Sequence, residues 1–143
     1  MVKIVSSKKA FFDSNIFIYL IEENLKYLPW VHNLMDFLET HDYEIITSTL
    51  SLGELLTKPY KENRLDLVKK YKELLANIEM VELNCEIADS FSKIRAQYSI
   101  KTPDAIQLAS ALHANAQIFI SNDEKLLRWD ETPCKVHLLK EYR

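Results

Sequence analysis

Glycine is nearly missing from this sequence. The 143 residues include one, Gly53, where ordinary usage gives about ten. That excludes G-x-G-x-x-G, the Walker A loop and the G-x-S-x-G elbow, each of which needs several glycines in one turn. It also speaks against an all-β fold built on many tight turns. Cysteine is scarce: Cys85 and Cys134 stand far apart and make no C-x-x-C. The four histidines, His32, His41, His113 and His137, show no H-x-x-x-H spacing. A zinc centre is therefore not expected, and a reducing compartment fits better than a disulfide framework. Long hydrophobic runs are absent too. The longest is IFIYLI, residues 16–21, far short of the ~20 residues of a membrane span. The opening MVKIVSSKKAFFDS holds no stretch of signal-peptide length. The expectation is a cytoplasmic protein without membrane association. Finally, there is no excess of positive charge, the formal net charge being −3. A protein that binds a polyanion through charge alone is usually basic, so a nucleic-acid partner would require cations from another source.

What is present is an ordinary globular balance, 48% hydrophobic and 27% charged, expected to form one domain over residues 1–143. Four prolines punctuate a helix-rich pattern. Short apolar runs at 10–12, 44–47, 78–83, 117–121 and 135–139 read as strands. Between them, helical patterns are expected over 14–22, from Pro29 onward, 51–60, 64–77, 86–98 and 102–115, with a short helix over 123–129. Val31, Leu34, Met35 and Leu38 share one helical face. Leu65, Val68, Leu74 and Leu75 share another, and Ile87, Phe91 and Ile94 a third. Thr102 is expected to cap the helix that Pro103 opens, with Ala105, Leu108, Ala109 and Leu112 inward. Strands alternating with helices predict a parallel sheet covered on both faces.

Four acids fall at one kind of place. Asp13 follows the strand ending in Phe11-Phe12, Asp104 lies in the first turn of the Pro103 helix, and Asp123 follows the strand Gln117–Ser121. Glu54 lies about a turn inside the helix after Glu44–Thr47. In an open parallel sheet the carboxyl ends of the strands form the ligand crevice. Each acid also has a local explanation. Asp13 and Asp123 can cap the helices that follow them. Ser51-Leu52-Gly53-Glu54 has the S-x-x-E pattern of a capping box. A carboxylate at 104 is favoured by the helix dipole by about 0.3–1 kcal/mol.

Phe12-Asp13-Ser14-Asn15, Ser48 followed by Glu54, the stretch TPDAIQLASA over 102–111, and Phe119-Ile120-Ser121-Asn122-Asp123 resemble, in order, the four motifs of the PIN-domain nucleases. The likeness is greatest to the small VapC-like toxins of type II toxin–antitoxin pairs. It spans most of the chain, and T-P-D-A-I-Q-L-A and S-N-D are its most specific parts. The resemblance implies a three-layer α/β/α sandwich with a mainly parallel sheet and metal-dependent cleavage of single-stranded RNA. It implies Asp13, Glu54, Asp104 and Asp123 as the catalytic, metal-binding acids, and Asn15, Ser48, Ser121 and Asn122 as supporting residues. Thr47, Thr49 and Ser51 are close alternatives to Ser48. The family often has threonine where Ser121 stands, and the hydroxyl is kept. An antitoxin partner and a homo-oligomer are further implications, with the amphipathic helices over 31–38 and 65–75 as candidate surfaces.

Phosphodiester hydrolysis needs a water-derived nucleophile, neutralised phosphate and a stabilised leaving oxygen. Mg²⁺ or Mn²⁺ supplies these through oxygen ligands alone, which accords with the scattered histidines and cysteines. Asp13 and Asp104 are expected as direct ligands, Glu54 as a ligand or water-orienting group, and Asp123 as the completion of the cluster. Lys8, Lys9, Lys58, Lys61, Arg64, Arg95, Lys101 and Lys125 are candidate phosphate contacts. Tyr27 and Trp30 can stack bases or pack against a partner. Two other readings compete with this one. A haloacid-dehalogenase-type phosphatase normally needs a second Asp two residues after the first, and that position is Asn15. A degenerate PIN-like binding module is disfavoured by the presence of all four acids.

Overall fold

The computed structural model describes residues 8–143. Its elements run β1 (Lys8–Phe12), α1 (Ser14–Ile21), α2 (Leu28–Thr40), β2 (Tyr43–Ser48), α3 (Thr49–Lys61), α4 (Leu65–Leu75), β3 (Glu79–Val81), α5 (Cys85–Gln97), α6 (Thr102–His113), β4 (Ile118–Ser121) and β5 (Lys135–Leu138). Two 3-10 turns, Glu124–Arg128 and Leu139–Tyr142, flank β5. The five strands form one sheet in the order β3-β2-β1-β4-β5, and every strand pairing is parallel. The expected α/β/α architecture is present, with an all-parallel sheet.

Side chains alternate across each strand, and the two apolar layers follow from that alternation. Ala10, Phe12, Ile118 and Ile120 face one side, where they meet Ile16, Phe17, Val31, Leu34, Leu38, Leu55 and Tyr71 of α1 to α4. Phe11, Ile46 and Phe119 face the other, against Ile87 and Ile94 of α5 and Ala105, Leu108 and Ala109 of α6. The Phe11 and Phe119 rings stack on neighbouring strands with centroids 5.2 Å apart. Both faces being covered explains why β1 and β4 read as unbroken apolar runs.

Three local expectations change. Leu65 is 61% exposed, and the inward positions of α4 are Leu67, Val68, Tyr71 and Leu75. Thr102 is the first residue of α6 and supplies no cap; Lys101 occupies the cap position without a side-chain bond. The apolar faces of α2 and α4 are spent in the core, leaving little of them for a partner. The shortage of glycine is met by Glu23, Asp42, Asn63 and Asn115, which take positive φ at helix exits. Gly53 itself lies inside α3 and has a negative φ.

The topology fixes the site. From β1 the chain moves outward through β2 to β3, then returns to the other side of β1 as β4. The direction reverses between β1 and β4. A crevice opens at the carboxyl ends of strands where such a reversal occurs.

Candidate active site

Asp13 stands at that crevice. It leaves β1, its backbone N–H still bonded to the Ile120 carbonyl at 2.9 Å, and it caps α1. Its Oδ1 accepts the Ser14 N–H at 2.9 Å, and its Oδ2 accepts the Ser121 hydroxyl at 2.8 Å. The capping explanation therefore holds, but one side-chain oxygen is directed to β4. Asp13 is 8% exposed. Burial raises its pKa to about 6, against the lowering effect of the Ser121 and Ser14 hydrogen bonds; the nearby charges of Asp104 and Glu54 raise it further.

Glu54 is not engaged in a capping box. Helix α3 begins at Thr49, and Ser48 caps it by accepting the Ser51 N–H at 3.2 Å. This puts Glu54 in the second turn, with its carboxylate toward α1. Burial raises its pKa, the Ser14 hydroxyl lowers it, and the Asp104 charge raises it. Asp104, in the first turn of α6, is raised by burial and by Asp123, and lowered by Lys101 and Lys125. Asp123 follows β4. Its backbone N–H donates to the Ser121 hydroxyl at 3.1 Å, and its Oδ1 accepts the Lys125 N–H at 3.0 Å. The four acids, from four separate elements, thus feel one another's charge: Asp13 with Asp104 and Glu54, Glu54 with Asp104, and Asp104 with Asp123.

The expected supporting residues differ in what they touch. Ser121 is buried and bridges Asp13 to the Asp123 backbone. Asn122 donates its amide to the Tyr19 hydroxyl at 3.1 Å. Ser48 is buried and meets no carboxylate; its hydroxyl donates to Gln107 Oε1. Asn15 Oδ1 is buried with no hydrogen-bond partner among the described residues. An unpaired buried acceptor costs about 1–3 kcal/mol, and this one lies two positions from Asp13.

Other residues matter that the sequence did not single out. Gln107 lies one turn beyond Asp104 and is buried. Its Nε2 donates to the Ser51 hydroxyl at 2.7 Å, while Thr47, through its own hydroxyl, joins Ser51 and the Phe12 carbonyl. This buried network ties α6, which carries Asp104, to the start of α3, which carries Glu54. A glutamine beside the inward positions of α6 was the available signal. Ser14 was visible only as part of a motif. Tyr19 belongs to an aromatic group with Tyr27 and Trp30, centroids 4.5 and 5.1 Å apart.

The candidate cations divide. Lys9 is the second residue of β1, about 13 Å of strand before Asp13, and pairs with Glu79 at 3.1 Å. Lys8 covers the Tyr43 ring, Arg64 pairs with Asp66 at 3.1 Å, and Arg95 reaches the Ile100 carbonyl. Lys58 and Lys61 share a shallow depression with Glu54. Lys101 and Lys125 share a cleft with Asp104 and Asp123.

These acids fit a hard divalent cation in donor chemistry: the set is all oxygen, and burial with mutual repulsion disfavours its charge until a cation arrives. Among the described residues no group of three or more His, Cys, Asp or Glu side chains is placed close enough together to hold a metal ion as it stands. Among them, too, no helix is long and apolar enough to cross a membrane, and both cysteines are free.

The fold has close counterparts among solved structures. A chain of the VapBC2 complex from Rickettsia felis, bound to a DNA fragment from its promoter, superposes with a TM-score of 0.72 at 17% identity, covering 91% of this chain and 98% of that one. A chain of VapBC-1 from nontypeable Haemophilus influenzae gives 0.72 at 17% identity, covering 92% and 98%. A toxin–antitoxin complex from Klebsiella pneumoniae gives 0.67 at 21%, covering 87% and 94%. No curated relative matches at the level of sequence. The PIN domain profile matches residues 10–131, from the middle of β1 to beyond Asp123. The chain belongs to the PIN domain family.

Proposed function

We propose that this protein is a metal-dependent endoribonuclease that cleaves single-stranded RNA and serves as the toxin of a toxin–antitoxin pair. The observation that carries the reading is the mutual charge repulsion of Asp13, Glu54, Asp104 and Asp123 at the sheet's switch point. Such an arrangement opposes its own ionisation and is relieved by a dication. Asp13 and Asp104 would be the principal ligands of Mg²⁺ or Mn²⁺, with Glu54 and Asp123 completing the set. Bound there, the cation supplies Lewis acidity and neutralises the phosphate charge.

The chain's own residues do the rest. Ser121 holds Asp13 Oδ2 by its hydroxyl, fixing the carboxylate plane and favouring its ionised form. Glu54, the most open of the four to solvent, orients the attacking water and takes its proton. Burial raises the Glu54 pKa, and the Ser14 hydroxyl opposes that rise and so favours the ionised form the task needs. Gln107 and Ser51 hold the Glu54 and Asp104 helices in register.

The toxin role and the antitoxin partner rest on the likeness to VapBC complexes. The direct test is cleavage of an end-labelled single-stranded RNA with Mg²⁺ or Mn²⁺. Cleavage that stops with chelator and is lost in Asp13→Asn supports the reading. Metal-independent cleavage, or none by the wild type, overturns it. Growth arrest on expression, relieved by co-expression of the adjacent gene's product, tests the toxin role.

A further inference from the structure

The cleft beside Asp104 and Asp123 has features the four acids do not need. Its volume is about 260 Å³, and Lys101, Lys125 and Arg128 line it together with the two carboxylates. Among the described residues none of these three cations forms an ion pair. Lys9, Arg64, Lys69, Lys93 and Lys140 are paired with acids. Among the described residues other cations such as Lys70 and Lys135 are not, and what sets these three apart is that they line one cleft with two of the site's acids. In a chain of net charge −3, three unpaired cations gathered at one edge of the acidic centre are a local reversal of sign. Lys101 and Lys125 act on Asp104 electrostatically without bridging to it.

The cleft is also built. Arg128 Nη1 donates to the Ser99 carbonyl at 3.3 Å, Arg95 Nε to the Ile100 carbonyl at 3.4 Å, and the Tyr98 hydroxyl to the Asp130 carbonyl at 3.2 Å. The Arg128 and Tyr98 bonds tie the segment between α5 and α6 to the turn after β4, and the Arg95 bond holds that segment against α5. The apolar side chains of Ile100 and Leu126, both buried, contribute to the lining. An apolar surface with cations around it suits a nucleotide, which carries an apolar ring and an anionic phosphate. The space is slightly below the roughly 300–1,000 Å³ of clefts for drug-sized ligands, a size suited to part of one nucleotide unit.

We infer that this cleft is a subsite for the nucleotide next to the bond that is cut. Lys101, Lys125 and Arg128 hold its flanking phosphate, and Ile100 and Leu126 support its ribose or base. This rests on the nuclease reading and deepens it, since it gives single-stranded RNA a defined path away from the acids. No covalent step is involved.

The test is the salt dependence of binding to a fluorescein-labelled, single-stranded octaribonucleotide, read by anisotropy with Ca²⁺ replacing Mg²⁺. Cleavage of the same RNA by the wild type with Mg²⁺ is measured alongside. Each phosphate contact to a single strand contributes about 0.7 to the slope of log K against log salt. The triple variant Lys101→Ala/Lys125→Ala/Arg128→Ala is expected to lower the slope by about 0.7 and to weaken binding at low salt. Lys101→Arg/Lys125→Arg keeps the wild-type slope. Lys69→Ala/Lys93→Ala, which removes two exposed and paired lysines, keeps it as well. A wild type that binds and cleaves, with an unchanged slope in the triple variant, overturns the subsite alone. A wild type that neither binds nor cleaves the RNA overturns the nuclease reading and the subsite with it.

Discussion

Replacing Asp13 by Asn should make the metal-free protein more stable at neutral pH and less stable in acid. Burial lifts the Asp13 pKa from 3.8 to about 6. The folded state therefore holds this proton more tightly than the unfolded chain does. Its contribution to stability is intact below about pH 4, declines as pH rises toward 6, and stays lost above that. At about 1.4 kcal/mol per unit, the charged carboxylate costs the fold about 3 kcal/mol at pH 7. Asparagine removes that cost. It keeps one acceptor for the Ser14 N–H but reverses the bond to Ser121, a loss of about 1 kcal/mol. The net expectation is a gain of about 2 kcal/mol above pH 6, or about 4–8 °C in melting temperature for a chain of this size. Below pH 4 only the lost hydrogen bond remains, so the variant should be the less stable protein there. Thermal unfolding of both proteins in chelator, from about pH 3.5 to about pH 7.5, reads the crossing directly. A variant less stable at every pH, or a difference that does not move with pH, would refute the electrostatic account of Asp13.

Asp104→Asn removes the acid whose pKa burial and Asp123 raise. It should raise the melting temperature in chelator at neutral pH while abolishing RNA cleavage, checked by thermal unfolding and the labelled-RNA assay. Ser121→Ala removes the hydroxyl donated to Asp13 Oδ2 and leaves a buried carboxylate oxygen without it. A loss of about 1–3 kcal/mol is expected by denaturant unfolding at pH 7, together with weaker Mg²⁺ activation. Gly53→Ala should stabilise the fold by up to about 1 kcal/mol, because the added Cβ meets nothing within 4 Å and the position is helical. Chemical denaturation measures it, and destabilisation would mean that α3 is not helical there.

The sequence carried the layers of the fold because periodicity does. The apolar runs at 10–12 and 117–121 could only be strands covered on both faces, and the core bears this out. Helix ends were less legible. A capping residue competes with its neighbours for a single N–H, which is how Ser48 rather than Ser51 came to start α3 and how Thr102 came to lie inside α6. In α4 the pattern put Leu65 inward, and the packing of Leu67, Tyr71 and Leu75 in the core turns it outward instead. For the site, the acids were visible as types at strand ends and helix starts. Their mutual approach was not, because it depends on β4 returning beside β1. Gln107 was hidden for the same reason: its partners, Ser48 and Ser51, lie more than fifty positions away and meet it only in three dimensions.

The central claim is that four carboxylates from separate elements act together in holding divalent metal. Thermal unfolding of the wild type and of Asp13→Asn/Asp104→Asn over rising Mn²⁺ tests it most directly. An ion bound only by the folded state stabilises by about 2.7 kcal/mol at a hundredfold excess over its dissociation constant. The wild-type melting temperature should therefore climb with Mn²⁺ while the double variant, already the more stable of the two in chelator, does not respond. Two unfolding curves that stay fixed from chelator to millimolar Mn²⁺ would contradict the claim.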